Sequence, residues 1–366
     1  MNNSFFLNTY ISKISFIIII LILFGCRIND TKHIGATNNM KSTALGGGKM
    51  YKQKIIKSGD VIITNKASLF ANLKRAKTGQ TLYIQDDIRL DLSGHKLIKI
   101  PAGVTMASGR GKNKSNGALI YSNTPDTYPL FITGGAGVRI SGIRIQGPDS
   151  LRRTKELKKL DKIGKFYSKP NSSGIRIIHD NCEIDNCEIF SWTHSGVHIK
   201  KNAKNAYIHH NYIHHNQRHR LGYGISIYEG FAKIRYNVFD WNRHHIAGSG
   251  LPNCGYEASY NLVLQNASSH AFDMHGGGDR KDGTNIAGDK LSIHNNTFYL
   301  KDQKSIVIRG IPAQSAEIYN NEFIIENQET AFKQIYAKGN IKFYNNVYGV
   351  TKEKMSKDIT RLNIYK

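Results

Sequence analysis

The 366-residue sequence contains only four cysteines, and no two of them form a Cys-x-x-Cys pair. Cys26 ends an apolar run near the N-terminus, which leaves Cys182, Cys187 and Cys254 in the rest of the chain. An odd number of cysteines without such a pair argues against a disulfide framework and against a structural zinc site. We therefore expect these three side chains to be buried as small apolar groups.

Acidic residues are also few, because 27 Asp and Glu stand against 51 Lys and Arg, for a formal net charge of +24. A field of this sign attracts polyanions such as nucleic acid, anionic lipid or acidic polysaccharide. The charge by itself does not choose among these partners. Export from the cytoplasm would favour an acidic polysaccharide and would disfavour nucleic acid.

The apolar run near the N-terminus, "ISFIIIILILFGC", has about 13 apolar residues and is shorter than the roughly 20 that a membrane-spanning helix needs. A charged flank, a short apolar core and a small residue at the exit predict a secretory signal peptide over residues 1–25. The ending Leu23-Phe24-Gly25-Cys26 resembles a bacterial lipobox, which implies lipidation of Cys26 and anchoring to the cell envelope. The polar, glycine-bearing residues 26–58 predict a flexible tether.

Most of the remaining chain repeats one pattern, in which an alternating apolar segment is followed by an asparagine and a second alternating segment. Segments such as "AYIHHNYIHHN" and "AKIRYNVFDWN" show it clearly. The marker asparagines are Asn211, Asn237, Asn261, Asn296, Asn321 and Asn346, with steps of 26, 24, 35, 25 and 25 residues. Short β-segments at this period predict the coils of a right-handed parallel β-helix, with the asparagines stacked in a ladder at one bend. The Leu-x-x-Leu-x-Leu signature of leucine-rich repeats is absent.

We therefore predict an all-β protein with one β-helix domain over residues 59–366. "ASLFANLKRAKTG" (67–79) predicts an N-terminal capping helix that begins near Ser68 and ends at Gly79. Two steps of the repeat are longer than one coil. The 44-residue step from Ile143 to Cys187, which hold the marker position in two earlier coils, contains an insertion at 149–170, and the 35-residue step from Asn261 to Asn296 contains one at 275–288. Insertions at the bends of a solenoid often build binding surfaces.

Four histidines follow the marker positions at nearly the coil spacing: His194, His219, His245 and His270. Equal steps predict that these four imidazoles lie along one face of the solenoid. Alternation in a strand sends His244 and His245 to opposite faces, and we expect His245 to face the cleft. Arg243 and Tyr223, near this line, are predicted to be catalytic together with His245 and His270. The residues predicted to bind substrate are His194, Arg218, His219, Arg220, His244, Asp273, His275, Asp279 and Arg280.

Some of these residues are also candidate metal ligands. His270, Asp273 and His275 are of the kind that bind zinc or iron, but strand alternation separates His270 from His275. "DRKDG" (279–283) offers few oxygens for calcium. We predict no metal site, and calcium remains open.

The capping helix with its following strand, the coil "GVRISGIRIQGP" and the asparagine-marked coils resemble the pectate-lyase-like β-helix superfamily. More loosely, they resemble polysaccharide lyases of the alginate lyase and chondroitinase B type. The resemblance implies the fold and an activity on acidic polysaccharide, with a lysine or arginine as base and often calcium. We place no matching calcium cluster in this sequence, so no catalytic residue of that family is carried over by position.

Elimination from a uronic acid needs a cation for the carboxylate, a base for the C5 proton and an acid for the departing O4. We assign Arg218, Arg220 and Arg243 to the carboxylate, His245 or His270 to the base and Tyr223 to the acid. Two alternatives remain open, a glycoside hydrolase pairing Asp273 with Asp240, Glu257 or Asp279, and a non-catalytic glycan-binding lipoprotein. The expected partner is an acidic polysaccharide, and we expect a monomer.

Overall fold

The computed structural model describes residues 34–36, 44–51, 55–200, 203–300, 302–325 and 335–349, together with the backbone of residues 353–354. The predicted signal peptide (1–25) and Cys26 lie outside these residues. Within them, parallel strands form three stacked sheets, so that each coil contributes one strand to each sheet in turn. This arrangement is the predicted right-handed parallel β-helix.

Each sheet stacks its strands in the order in which they follow one another along the described part of the chain. Sheet A contains Val61–Ile63, Thr81–Ile84, Thr105–Ala107, Arg139–Ser141, Glu183–Asp185, Ala203–His209, Gly230–Arg235, Cys254–Ser259, Lys290–His294, Ser315–Tyr319 and Ile341–Tyr344. Sheet B contains Arg89–Asp91, Leu119–Tyr121, Arg144–Gln146, Glu188–Phe190, Tyr212–His214, Val238–Asp240, Leu262–Val263, Thr297–Phe298, Glu322–Phe323, Val347–Tyr348 and the antiparallel Glu353–Lys354. Sheet C contains Ile98–Ile100, Phe131–Thr133, Ser173–Ile177, Ser195–Ile199, Tyr223–Ile227, His244–Gly248, Phe272–Met274, Ile306–Ile308 and Ile335–Ala337.

The core consists of columns of inward side chains at equivalent positions in successive coils. In sheet A, for example, Ile184 pairs with Ile208 and Ile208 with Ile234, and all three are buried. Burying an aliphatic side chain of this size contributes roughly 1.5–3 kcal/mol, and the column repeats that gain at every coil. The free cysteines Cys182, Cys187 and Cys254 are buried in this core, as predicted.

The predicted asparagine ladder is present at the bend between sheets A and B. The side-chain amide of Asn211 donates to the carbonyl oxygen of Asn237 at 3.0 Å, and Asn237 donates in the same way to Asn261. The ladder continues through Asn296, Asn321 and Asn346. The residue before each ladder asparagine has a positive φ, so the chain turns sharply there and directs the amide inward.

A shorter ladder at the next bend joins Asn216 to Asn242 at 2.8 Å. Asn266, which follows at the coil spacing, does not extend it. Its amide instead donates to Asp240 Oδ2 at 3.3 Å, so Asn266 is not part of this ladder. Interior amide stacking therefore depends on the local bend as well as on the spacing.

In the described part of the chain, three helices interrupt the strands: α1 (Lys66–Arg75), α2 (Thr154–Lys162) and the short α3 (Gly277–Arg280). Leu69 and Leu73 of α1 are buried in the same core as the first coils. Asn65, rather than Ser68, is the N-cap, because its side chain accepts from the Ser68 N–H while Ser68 bonds back. Three 3₁₀ turns occupy Gly48–Met50, Lys112–Lys114 and Phe166–Ser168. No helix in the described ranges has the length and hydrophobicity to cross a membrane.

The described parts of residues 26–58 differ from the flexible tether expected there, because they pack against the solenoid. The Gly46 N–H donates to Tyr236 O at 3.0 Å, and the Tyr51 hydroxyl donates to the buried Asp185 at 3.0 Å. A Cβ on Gly47 would lie 2.4 Å from His210 O. The glycines therefore let this backbone approach the solenoid closely, whereas the sequence alone predicted a flexible segment.

Candidate active site

A cleft of about 680 Å³ lies on the outer face of sheet C. Its floor consists of small residues, Ser226, Ala247 and Gly248, and its walls carry aromatic and basic side chains. In one column of the sheet, His198 is followed by Ser226, Ala247 and Asp273. Three steps at the strand spacing place His198 and Asp273 roughly 14 Å apart, with the open floor between them.

A row of rings begins in the cleft with His198, His194 and Tyr223 and continues beyond it through the buried His244 to His270. Neighbouring ring centroids are 4.9, 5.6, 5.7 and 5.6 Å apart. The row therefore contains two of the four histidines predicted to form a line, His194 and His270. The other two, His219 and His245, lie elsewhere.

His245 points into the solenoid interior, which corrects its assignment as a catalytic residue. Its ring is fully buried and stacks on Phe239 at 5.4 Å, and its Nδ1 accepts from Asn242 Nδ2 at 3.0 Å. The cause is a β-bulge. The N–H groups of His245 and Ile246 both donate to Ala271 O, at 2.8 and 3.1 Å, so two consecutive residues face inward.

His244 takes the outward position instead, within the ring row, although its side chain is buried. Its Nδ1 donates to His270 O at 2.6 Å, which fixes Nε2 as the unprotonated nitrogen of the neutral ring. That Nε2 is buried without a hydrogen-bond partner and lies 3.6 Å from Asp273 Oδ2. Burial, only partly opposed by Asp273, holds the pKa of His244 well below 6.5.

Asp273 is a fully buried carboxylate bound by an arginine that the sequence pattern did not identify. Arg309 Nε donates to Asp273 Oδ1 at 3.0 Å, and Arg309 Nη2 binds the other oxygen. His275 Nε2 is 3.3 Å from Oδ2. Burial alone would raise the pKa of Asp273, but the contacts with His275, His244 and Arg309 more than offset it and keep this pKa below its usual value.

His194 and Tyr223 present the polar groups best suited to acid–base chemistry in the cleft. Nδ1 of His194 bonds with the Ser195 hydroxyl at 2.9 Å, which leaves Nε2 for a ligand. Burial, with Lys200 and Arg176 nearby, lowers the pKa of His194 to about 3, so the ring is neutral at pH 7. Burial raises the pKa of Tyr223, which therefore keeps its proton.

Two cations border this pair. The guanidinium of Arg176 lies 4.7 Å from the centre of the Tyr128 ring, which itself packs edge-on against His194 at 5.1 Å. The Nε of Arg176 is buried without a hydrogen-bond partner. Lys200 lies over the Tyr228 ring at 4.8 Å and lines the cleft. Arg243 also reaches this region, because its Nη1 donates to Arg220 O at 3.1 Å.

Arg218 and Arg220, predicted to bind substrate, instead hold the insertion 149–170 in place. Arg218 is buried and its Nη1 donates to Pro170 O at 2.6 Å and to Asn171 Oδ1 at 2.8 Å. Arg220 forms a salt bridge with Asp161. The predicted line is also wrong for His219, which lies in the same loop with its N–H bound to Arg152 O.

Asp279 and Arg280 border the cleft but are largely committed to internal contacts. Asp279 accepts from Arg309 Nη1 at 2.9 Å. Arg280 donates from Nη1 to Ser249 O at 3.1 Å and from Nε to Asp282 at 2.7 Å. These contacts fix the insertion 275–288 against the end of sheet C.

The sequence pattern did not identify the cleft residues His198 and Lys200, nor their neighbours Arg176 and Arg309, although all four occupy columns that an alignment of the coils would have revealed. His198 pairs with Ser226, and Arg176 pairs with His198. The residue that follows each strand of sheet C forms another column, in which His275 precedes Arg309. Met274 pairs with Ile308, and extending this register by one residue places Arg309 beside His275. That position is the signal that could have identified Arg309.

One group in the described ranges has the residue types of a metal site, namely Glu183, Asp185 and His209 on the outer face of sheet A. The oxygens of Asp185 already accept from Arg139 Nε and Nη2, both at 2.8 Å, and from Ser141 and Tyr51, both at 3.0 Å. This hydrogen-bonded cluster lies on a different sheet from the cleft. It has the character of a structural ion pair rather than of an open cation site.

Comparison with solved structures identifies the fold. An alginate lyase from Paenibacillus sp. str. FPU-7 superposes with a TM-score of 0.53 at 13% identity, covering 81% of this chain and 96% of that chain. A family 28 exopolygalacturonase from Yersinia enterocolitica gives 0.45 at 14% identity, covering 81% of this chain and 64% of that chain. At such identities the likeness concerns the fold alone, which is the right-handed parallel β-helix. No family model and no curated protein matches the sequence.

Proposed function

We propose that this protein is a carbohydrate-active enzyme that cleaves a uronate-containing polysaccharide by β-elimination at the sheet C cleft. The observation that carries the proposal is the cleft's combination of cations, a neutral histidine and a protonated tyrosine, with the neighbouring carboxylates already bound to arginines. A solved alginate lyase of the same fold supports polysaccharide as the substrate class.

Arg176 and Lys200 are assigned to the uronate carboxylate. Both lie close enough to His194 to lower its pKa. A guanidinium can bind both oxygens of a carboxylate, and the guanidinium of Arg176 lies against the Tyr128 ring that lines the cleft. Neutralising the carboxylate makes the C5 proton more acidic. The bound carboxylate would also offset the two cations, so the pKa of His194 would rise when substrate binds.

His194 and Tyr223 are assigned to the proton transfers. Nε2 of His194 takes the C5 proton, and the electron pair of that bond forms the C4–C5 double bond. The bond from C4 to the glycosidic oxygen breaks, and the Tyr223 hydroxyl protonates the departing oxygen. Their rings meet edge to face with centroids 5.6 Å apart, and the Tyr223 hydroxyl, which donates to Arg220 O at 3.2 Å, would exchange that partner for the departing oxygen.

The hydrolase alternative lacks its pair of carboxylates. Asp240 faces outward from sheet B and Glu257 from sheet A, whereas Asp273 belongs to sheet C. Asp273 and Asp279 share Arg309, and the pKa of Asp273 is lowered. A hydrolase needs a carboxylic acid whose pKa is raised, so that it can protonate the leaving group.

Incubation with alginate, polygalacturonate and chondroitin sulfate, with ultraviolet absorbance and reducing ends measured together, tests the proposal. Elimination gives one unsaturated, absorbing product end for each new reducing end. His194→Ala and Tyr223→Phe are expected to lower turnover about 100-fold or more, while His219→Ala, a histidine outside the cleft, leaves it unchanged. New reducing ends without absorbance would establish a hydrolase instead.

We further propose that the protein is exported and lipid-anchored at Cys26 in a bacterial envelope. The apolar run and the Leu-x-Gly-Cys ending support this assignment. Labelling with a radioactive fatty acid in a bacterial host is expected for the parent protein and not for Cys26→Ser. Equal labelling of both would reject Cys26 as the anchor.

A further inference from the structure

A second groove, of about 470 Å³, lies where the chain turns from sheet C into sheet A. Phe231 lines it, together with Lys204 and Lys290 and the side-chain amides of Asn205, Asn253 and Gln314. Asp289 is the one carboxylate among its described lining residues. The groove is distinct from the sheet C cleft, because none of its lining residues belongs to the cleft.

The open space in this groove depends on a glycine beside an aromatic ring. Phe231 pairs with Gly255 on the next coil, and Lys290 lies beside Gly255 on the coil after that. A Cβ on Gly255 would lie 3.1 Å from Cδ2 of Phe231 and 2.5 Å from Lys290 O. The glycine therefore leaves room along one side of the ring, with a lysine about two strand spacings, or ~10 Å, from Phe231.

This chemistry fits an acidic saccharide. The C–H face of a pyranose packs on an aromatic ring as other apolar surfaces do, and a half-buried Phe231 supplies such a surface. A uronate carboxylate would find the ammonium of Lys290 or Lys204. Amide side chains both donate and accept, as sugar hydroxyls require.

The groove also continues from the cleft. Tyr228 lines the cleft and Gly230, in the same turn, lines the groove. Likewise, Lys200 lines the cleft and Lys204 lines the groove. A chain leaving the cleft over Tyr228 therefore meets Phe231 next, with cations along its path.

We infer that this groove is a second binding site for the acidic polysaccharide, which holds the polymer outside the cleft where it is cleaved. The inference rests on the proposed function for the identity of the polymer. It does not require the proposed chemistry.

Affinity electrophoresis of the full-length protein tests the groove, with alginate or polygalacturonate in the gel and neutral dextran in a parallel gel. Phe231→Ala, Lys290→Gln and Lys204→Gln are expected to weaken retention in an acidic gel about two- to fivefold each. Lys233→Gln is the matched control, because Lys233 is an exposed lysine of the same strand as Phe231, on the outer face of sheet A. Turnover of the polymer should fall with retention, while turnover of a tetrasaccharide should not.

The outcomes separate the two proposals. Retention that depends on Phe231 without unsaturated product supports the groove and rejects the elimination reaction. Unsaturated product with retention that is equal in the parent and in all three groove variants overturns the groove and leaves the reaction in place. Absence of retention of the parent in both acidic gels also overturns the groove. Phe231→Trp, which keeps an aromatic ring, should retain binding and so distinguishes lost stacking from misfolding.

Discussion

His244 and His245 are adjacent in sequence but lie on opposite sides of the solenoid wall. Nδ1 of His244 donates to His270 O on the outer side, whereas Nδ1 of His245 accepts from Asn242 in the interior. Strand alternation separates the two rings, and the bulge at Ala271 O decides that His245 is the one that faces inward. This arrangement assigns the two rings to different roles, one in the ring row and one in the core.

Alanine substitution at these two positions should separate stability from activity. His245→Ala should lower the free energy of unfolding by about 2–4 kcal/mol, because it leaves a cavity beside Phe239 and removes an acceptor from Asn242. Turnover per folded molecule should change little. His244→Ala should lower turnover, because its ring supports Tyr223 at 5.7 Å and faces Asp273. Urea denaturation measures the free energy of unfolding of both variants, and the elimination assay measures their turnover. An unchanged stability with lost turnover for His245→Ala would contradict the inward orientation of His245.

Stability should fall as the solution is acidified from about pH 6.5, because several buried histidines are neutral in the folded protein. Burial lowers the pKa of His194 and of His245 to about 3, against 6.5 for an ordinary histidine. The unfolded chain therefore binds more protons than the folded one below pH 6.5. Their stabilising contribution is complete above that pH and is lost as the pH falls towards 3. His245→Leu should make the dependence of the unfolding midpoint on pH less steep; an equally steep curve would indicate an ordinary pKa.

Removing Arg309 should leave Asp273 as an unpaired buried charge. Arg309→Ala is expected to cost about 3–5 kcal/mol of stability, and Asp273→Asn in the same chain should recover part of it. Lys342→Ala is the control, because its pair with Glu317 is exposed and should cost about 1 kcal/mol or less. Thermal denaturation of the single and double variants measures the coupling free energy between Arg309 and Asp273. Simple additivity of Arg309→Ala and Asp273→Asn would mean that the contact contributes nothing.

The interior asparagine ladder should be sensitive to deletion of a single amide. Asn237 donates to Ile208 O and Asn261 and accepts from the backbone and side chain of Asn211. Asn237→Ala leaves these buried groups without partners, at about 1–3 kcal/mol for each buried group left unpaired. Asn266→Ala, outside the ladder, should change stability by about 0.5 kcal/mol. Comparable unfolding midpoints for the two variants would show that the ladder is not stabilising.

The fold could be predicted from the sequence because a solenoid repeats one short pattern in a single direction. Residues one coil apart, such as Asn211 and Asn237, must stack when the chain advances by one strand spacing per coil. Alternation then decides which side chains fill the core, as for Ile208 and Ile234. Both signals are local, so they could be interpreted without knowing any through-space contact.

The candidate site depended on information of another kind. A bulge adds one inward residue without disturbing the spacing, so periodicity placed His245 in the cleft and His244 behind it. Glycines 196 and 224, which occupy the equivalent positions in earlier coils, mark this irregularity, because a Cβ at either one would point among interior side chains.

The partners of charged groups were likewise decided only by the tertiary structure. Arg218 binds Pro170 and Asn171 rather than substrate, and Asp273 binds Arg309 from the following coil. A charge in sequence has many possible partners, and burial selects the one that can satisfy it within hydrogen-bond distance. The sequence alone therefore determined the columns of the solenoid. The three-dimensional packing determined which members of those columns face the cleft, because orientation and pairing depend on neighbours that the chain brings together only when it is folded.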